Sequence, residues 1–392
     1  MTLDFDRSVS KRVALRDVVH HVTDRVDPET SGLERFLAGE HIPSRSLAIN
    51  EWGTIGEDPV GPMFYKRFKP EHVLYVSRRT YLRKVAVPEF EGITGEKTFV
   101  LESTDRSVLL QEFLPFVLSA ERFHTYAVAN SRGSVNPYLN WGELAAYEFD
   151  LPPLEEQARI ADLLWAIERH RRSLATSLQA ARELSRRLRA DLFEGAQRDA
   201  RADEMFEITI GRQRSPKHEA GDHLVPYVRS ANVTPKGIDT ADVKSMNFEP
   251  KEQQKFALRD GDVLVSEASA SAPSVGMPAV WREDVPGTVC FQNTLLRYRA
   301  VEGRSLPAFV EQYCHWAFES GRFLATASGT NIRHIGVGGA SAMKVPRTSI
   351  SDQAAFISRT ATAATAQQAL EQEASTVGAL LANLINHLLG GS

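Results

Sequence analysis

The sequence predicts an α+β protein in which two globular domains alternate with two long helices, the whole forming an internal repeat of pseudo-two-fold character. Three observations carry this prediction. The stretch LPPLEEQARIADLL, beginning at Leu151, returns in a worn form, RTSISDQAAFISRT, beginning at Arg347. Gln157 thereby falls on Gln353, half of the 392-residue chain further on, and the same offset lays Gly133 on Gly329, Leu174 on Leu370 and Leu188 on Leu384. A repeat of this length has to be found first, because missing it misassigns the fold. The second observation is an apolar seam after each copy, and the third is a set of short strand-like runs in the segments between.

The chain divides accordingly into a first globular domain over 1–150, a helix over 151–198, a second globular domain over 199–346 and a second helix over 347–392. Both globular segments hold strand-like runs, HVLYVS in the first and GDVLVS in the second, broken by Gly, Pro and Asn turns. In each, the run precedes an aromatic-rich helical pattern, FLPFVLSAERF and FVEQYCHWAFESGRF,. The two segments share this plan and little sequence.

The first helix carries its seam at Ile160, Leu164, Ile167, Arg171, Leu174, Leu178, Ala181, Ser185, Leu188 and Leu192, of which eight of ten are apolar. The second repeats it at Phe356, Thr360, Ala363, Gln367, Leu370, Ala374, Val377, Leu381, Leu384 and Leu388. A sustained period of about 3.5 residues favours paired helices, here an antiparallel coiled coil. Pro152 and Pro153 suit a helix start, and Glu155 and Glu156 complement its dipole,. Ser349 and Asp352 form an imperfect capping box, and Gly195 and Gly391 are candidate left-handed caps,.

Composition narrows the classes of function. With 42% hydrophobic and 24% charged residues the chain is globular, not disordered,. No uninterrupted apolar run reaches about 18 residues, so a membrane span is excluded, and with no secretion signal the expected compartment is the cytoplasm. Only Cys290 and Cys314 are present, without metal spacing,. A net charge of −4 opposes indiscriminate coating of nucleic acid while permitting a local basic groove,.

Such a groove is suggested by YKRFKPEHVLYVSRRTYLRKV, which holds Lys66, Arg67, Lys69, Arg78, Arg79, Arg83 and Lys84 among Tyr65, Phe68, Tyr75 and Tyr81 against a single Glu71. These residue types suit phosphate contacts and bidentate reading of guanine. A strand edge protected by cations has the same composition. The second segment offers Arg212, Arg214, Lys217, Arg229, Asn232 and Lys236, then Asn331, Arg333 and His334 in GTNIRHIG, where Asn can read adenine,. Asx turns and surface salt bridges are the alternative there. The first helix bears Arg169, Arg171, Arg172, Arg182, Arg186, Arg187 and Arg189, expected on a solvated or partner-facing side. After Gln353 the second carries only Arg359, Glu371 and Glu373 as charges, so a partner beyond its sister helix is expected to cover it,.

The order of variable domain, LPPLEEQARIADLL with its long helix, second variable domain and second helix resembles the specificity subunit of type I restriction-modification systems. The likeness is strongest at Leu151–Leu164, at VLYVSRRTYLRKVAVPEFEGITGEKTFVLE and at GSVNPYLNW. It implies two target-recognition domains that each read half of a split, asymmetric site in double-stranded DNA, with antiparallel helices fixing the distance between halves. It also implies two docked methyltransferase subunits using S-adenosylmethionine, restriction subunits using ATP and Mg, a role in phage defence, and no cofactor or catalysis in this chain. The second copy departs from the pattern: VPRTSISDQ has one proline and lacks the Glu pair.

Two rival readings are a scaffold without DNA specificity and an enzyme. VNPYLNW lacks the second proline of an amino-methyltransferase loop and no Gly-rich loop accompanies it, while GVGG from Gly336 is expected to be a loop,. The eleven His show no helix-spaced metal pair,.

Overall fold

A computed structural model describes residues 9–195, 197–269, 274–283, 285–329 and 333–390. The chain forms two compact units, one of 1–177 with 370–392, the other of 178–369. Both boundaries fall inside the long helices, Leu154–Gly195 and Ile350–Leu389. Each globular part therefore packs with half of each helix, and the helices are not domains of their own.

In the first unit Lys11–Ala14 pairs antiparallel with Glu148–Leu151. A one-turn helix, Leu15–Val18, follows and is closed by the Ala14 amide donating to Asp17 Oδ2 at 3.1 Å. Val19–His21 then enters a four-stranded sheet in the order Val19–His21, Thr98–Ser103, Val73–Val76, Val85–Ala86. Val73–Val76 is buried along its whole length, as expected of an apolar run without alternation,. A second sheet joins Gly53–Thr54, Arg35–Leu37, Gly92–Gly95 and Phe64–Phe68, with a parallel pair at its centre. Gly92 is needed in it, since a Cβ there would lie 2.5 Å from the Arg35 carbonyl oxygen,.

The second unit is built to the same plan. Ala200–Arg201 pairs with Lys344–Val345, and the helix Ala202–Met205 is closed by the Arg201 amide donating to Glu204 Oε1 at 3.4 Å. Its main sheet runs Phe206–Ile210, Leu295–Ala300, Val263–Ser266, Pro278–Val280. A second sheet again contains a parallel pair, Leu224–Val228 with Cys290–Phe291. GVGG is not a loop: Val337–Ala342 is helical, the counterpart of Trp141–Ala145.

The repeated motif owes its return to one side chain. Gln157 is buried, and its Oε1 accepts the Leu110 amide at 2.9 Å while Nε2 donates to the Val108 and Pro152 carbonyls, each at 2.8 Å. Gln353 repeats all three bonds, accepting from Leu306 at 2.9 Å and donating to Arg304 at 2.8 Å and Thr348 at 3.1 Å. Each Gln staples the start of a long helix to the loop of its own globular part. The staple works only because an amide side chain offers a donor and an acceptor together.

All ten seam positions of each helix are buried or half-buried. In the first unit Ile160 and Leu164 share a core with Ile385 and Leu388, and further along His170 Nε2 lies 3.2 Å from Glu373 Oε1, so the two helix segments run antiparallel there. In the second unit Phe193 and Phe356 join the core of Phe206, Tyr298, Phe309, Tyr313 and Trp316. The polar seam residue Arg171 is held by buried Glu168, with Nε donating to Oε2 at 2.7 Å. Gly195 is the last helical residue and does not adopt positive φ, so the left-handed cap expected there is not used. Gly391 lies outside the described residues. Off its seam the second helix is exposed at small residues such as Ala354, Ala355, Ala361 and Ala364 and at Leu380.

Candidate nucleic-acid interface

The basic segment of the first unit begins in Phe64–Phe68. A β-bulge interrupts the register between Phe64 and Lys66, and beyond it alternation puts Lys66 and Phe68 on one face, which is inward,. Lys66 is buried, its Nζ donating to the Glu96 and Thr98 carbonyls at 2.7 and 3.0 Å. Burial, with a smaller effect of neighbouring cations, lowers its pKa to about 8. Lys66 is therefore a structural cation, which corrects the expectation that it meets DNA. Arg67, on the opposite face, pairs with Glu91. Lys69 is exposed.

After Val73–Val76 the chain makes a tight turn, Thr80–Leu82, flanked by two non-glycine residues in the left-handed region, Arg79 at φ 56° and Arg83 at φ 54°. Each such residue costs roughly 1–2 kcal/mol, and the surroundings hold both. The Arg79 amide donates to the Pro137 carbonyl, and its Nε donates to Asn136 Oδ1 at 2.7 Å. Thr80 Oγ1 lies 2.8 Å from Ser131 Oγ. Arg78 bridges Tyr138, which also bridges Arg132. Arg83 grips both carboxylate oxygens of Glu121, whose amide accepts no less firm a restraint, donating to Asn386 Oδ1 at 2.8 Å. Lys84 Nζ donates to the Gly39 carbonyl.

The turn 79–83 and the loop 132–138 are thus one rigid assembly. Beside it opens a cavity of about 620 Å³ rimmed by Arg78, Arg79, Lys84 and Lys97 over Val76 and Leu82. Lys97 Nζ sits 5.1 Å from the Tyr138 ring centre. At the outer tips two apolar residues are exposed, Tyr81 at 53% and Val135 at 82%. Lys97 and Val135 escaped the sequence reading because neither lies in the basic run; the GSVNPYLNW stretch was the available signal.

In the second unit the expected readers Arg229 and Asn232 already have protein partners. Arg229 donates to Asp242 Oδ2 at 2.6 Å. Asn232 is buried, accepting the Arg229 amide at 3.0 Å and donating to the Asp239 and Asp242 carbonyls at 2.9 and 3.1 Å. Together they clamp a turn. Arg212 pairs with Glu252, and Arg214 with Glu219. Arg333 is exposed, in the short strand Arg333–His334 that pairs with Ala268–Ser269. Asn331 lies outside the described residues. The pairing of Ala268 with His334, and the bridge from Ser328 to His334, repeat the bridges of Arg78 and Arg132 to Tyr138. The two units thus bring equivalent loops together at equivalent places.

Among the described residues no cluster of three or more His, Cys, Asp or Glu is arranged to hold a metal ion, and no helix is long and apolar enough to cross a membrane.

Equivalent main sheets, stapled helix starts and equivalently bridged loops give the two units one plan. Over residues 65–180 the chain matches the family model described as the type I restriction modification DNA specificity domain. The fold of the whole chain is similar to that of the S subunit of a type I restriction-modification system from M. genitalium, with 13% identity, a TM-score of 0.58, and 100% of this chain and 99% of that one covered. It is also similar to a chain from a structure on complex assembly and conformational transition of the type I R-M system, with 19% identity, a TM-score of 0.56 and 97% of each chain covered. No curated protein matches the chain by sequence.

Proposed function

We propose that this chain is the DNA-reading specificity subunit of a type I restriction-modification complex. Each unit reads one half of a split, asymmetric duplex site through its paired loops, 78–83 with 132–138 in the first and their counterparts around 268, 328 and 333–334 in the second. The chain performs no chemistry itself; adenine methylation and cleavage belong to methyltransferase and restriction subunits that it positions, in a cytoplasmic complex. The observation that carries this reading is the repetition of the same loop pair in two units whose joints are kept while their loop sequences differ. Phosphate contacts would position each unit and base-edge contacts would specify the sequence.

Exchanging residues 1–145 for those of a relative with a different target, and sequencing the modified motif made by the assembled complex, tests it. One half of the motif is expected to change and the other to stay. A change in both halves, or in neither, overturns the proposal.

A further inference from the structure

Most cations of the basic segment already have protein partners. Arg67 is paired with Glu91, Arg79 with Asn136, Arg83 with Glu121, and Lys66 and Lys84 with backbone carbonyls. To read a guanine, Arg83 would have to abandon a two-pronged carboxylate. Among the described residues of this assembly, Arg78, Tyr81 and Val135 are exposed with no side-chain partner.

Tyr81 stands on a turn fixed at both ends by left-handed residues, and Val135 belongs to the loop that Arg79 clasps through Asn136 and Pro137. An apolar group held rigidly at an exposed tip loses little conformational entropy when it is covered. Arg78 and Arg79 lie two and three residues before Tyr81, and the cavity beside the turn sets Arg78, Arg79, Lys84 and Lys97 against Glu40 and Glu96, an excess of cations that favours a polyanion over a protein as the cover,. The exposed apolar feature of a DNA base edge in the major groove is the thymine methyl group.

Resting on the function proposed above, we infer that Tyr81 and Val135 are specificity-determining residues of the first half-site, each packing against a thymine methyl, while the arginines hold the turn and meet phosphate. The chain alone, purified at full length, is used to select duplexes from a randomised pool, and each thymine of the selected half-sites is then replaced by deoxyuridine. Removing one methyl is expected to weaken wild-type binding about fourfold at one or two positions of one half-site. Tyr81→Ala and Val135→Ala are each expected to lose that same factor on thymine and nothing more on deoxyuridine, with the other half-site untouched. Both side chains are exposed, so the thermal midpoint serves as a check that the variants fold.

Additive losses for uracil and alanine overturn the inference, as does a first half-site without thymine or an unchanged preference in both variants. If the variants instead lose capture of a partner subunit at unchanged base preference, the tips are a protein contact and the inference fails. Failure of the parent proposal looks different: the wild-type chain then selects no split sequence at all.

Discussion

The two repeats differ least where the chain changes from globular domain to helix and most where the loops meet solvent. Three bonds of Gln157 are reproduced by Gln353, and the Asp17 cap by the Glu204 cap. The strand order of the main sheet is the same in both, while the second sheet has four strands in the first unit and three in the second. Against this, the first unit spends Arg79 and Arg83 on bracing its turn, whereas the second braces a different turn with Arg229 and Asn232. The contrast teaches that the joints are one solution used twice, and that an arginine in a basic run can serve as a brace.

The joints should fail alike. Gln157→Ala leaves the Leu110 amide and two carbonyls without their partner, and Gln353→Ala leaves the equivalent three. With about 1 kcal/mol for each bond, and more where the stranded group stays dry, each variant is expected to lose about 3 kcal/mol. Denaturant unfolding measures the loss, and hydrogen exchange locates it near 108–112 in one case and 304–306 in the other. If one variant is silent, the two joints are alike only in geometry.

Lys66 sharpens the distinction between brace and reader. Lys66→Met removes the donor from two carbonyls and is expected to cost about 2 kcal/mol at pH 7, with base preference and salt dependence of DNA binding unchanged. The folded pKa is depressed to about 8, chiefly by burial, against a usual value of 10.5. Between those values the folded protein has released the proton that the unfolded chain still holds, so wild-type stability gains as pH rises through that window. The deficit of Lys66→Met should therefore widen between pH 7 and pH 10; a constant deficit would mean that the ammonium is solvated.

What the sequence made legible follows from the range of the interaction involved. The helix seams were readable because a 3.5-residue period is local, and all twenty positions are covered as expected. The inward face of Lys66 was only half readable: Phe68, two residues on, shares that face, but the bulge between Phe64 and Lys66 breaks the alternation before it, and the density of charge drew the reading toward solvent. The fates of Arg67, Arg79 and Arg83 were not readable. Their partners Glu91, Asn136 and Glu121 lie 24, 57 and 38 residues away and are brought near only by the tertiary fold. The same holds for Asn232, whose acceptors come from a later turn.

The smallest expected effect concerns the one arginine of the turn that is not a brace. Arg78 is exposed, its side chain has no partner among the described residues, and its backbone bridge to Tyr138 needs no side chain. Arg78→Ala should therefore leave stability within about 0.5 kcal/mol of wild type, as surface substitutions usually do. In DNA binding it removes one cation beside the reading tips, so the dependence of log affinity on log salt should flatten by about 0.9, the value for one phosphate on a duplex. The ranking of target sequences should stay the same. Arg333→Ala, the exposed cation on the partner strand of the second unit's loop pair, should do likewise, and the two together should flatten the slope by about twice as much, since contacts in separate half-sites add,. A titration of affinity against salt, on one selected duplex and one scrambled duplex, decides it. If Arg78→Ala alters which base is preferred while the slope holds, Arg78 reads a base edge, and the first unit uses a charged reader where its brace-bound neighbours cannot serve.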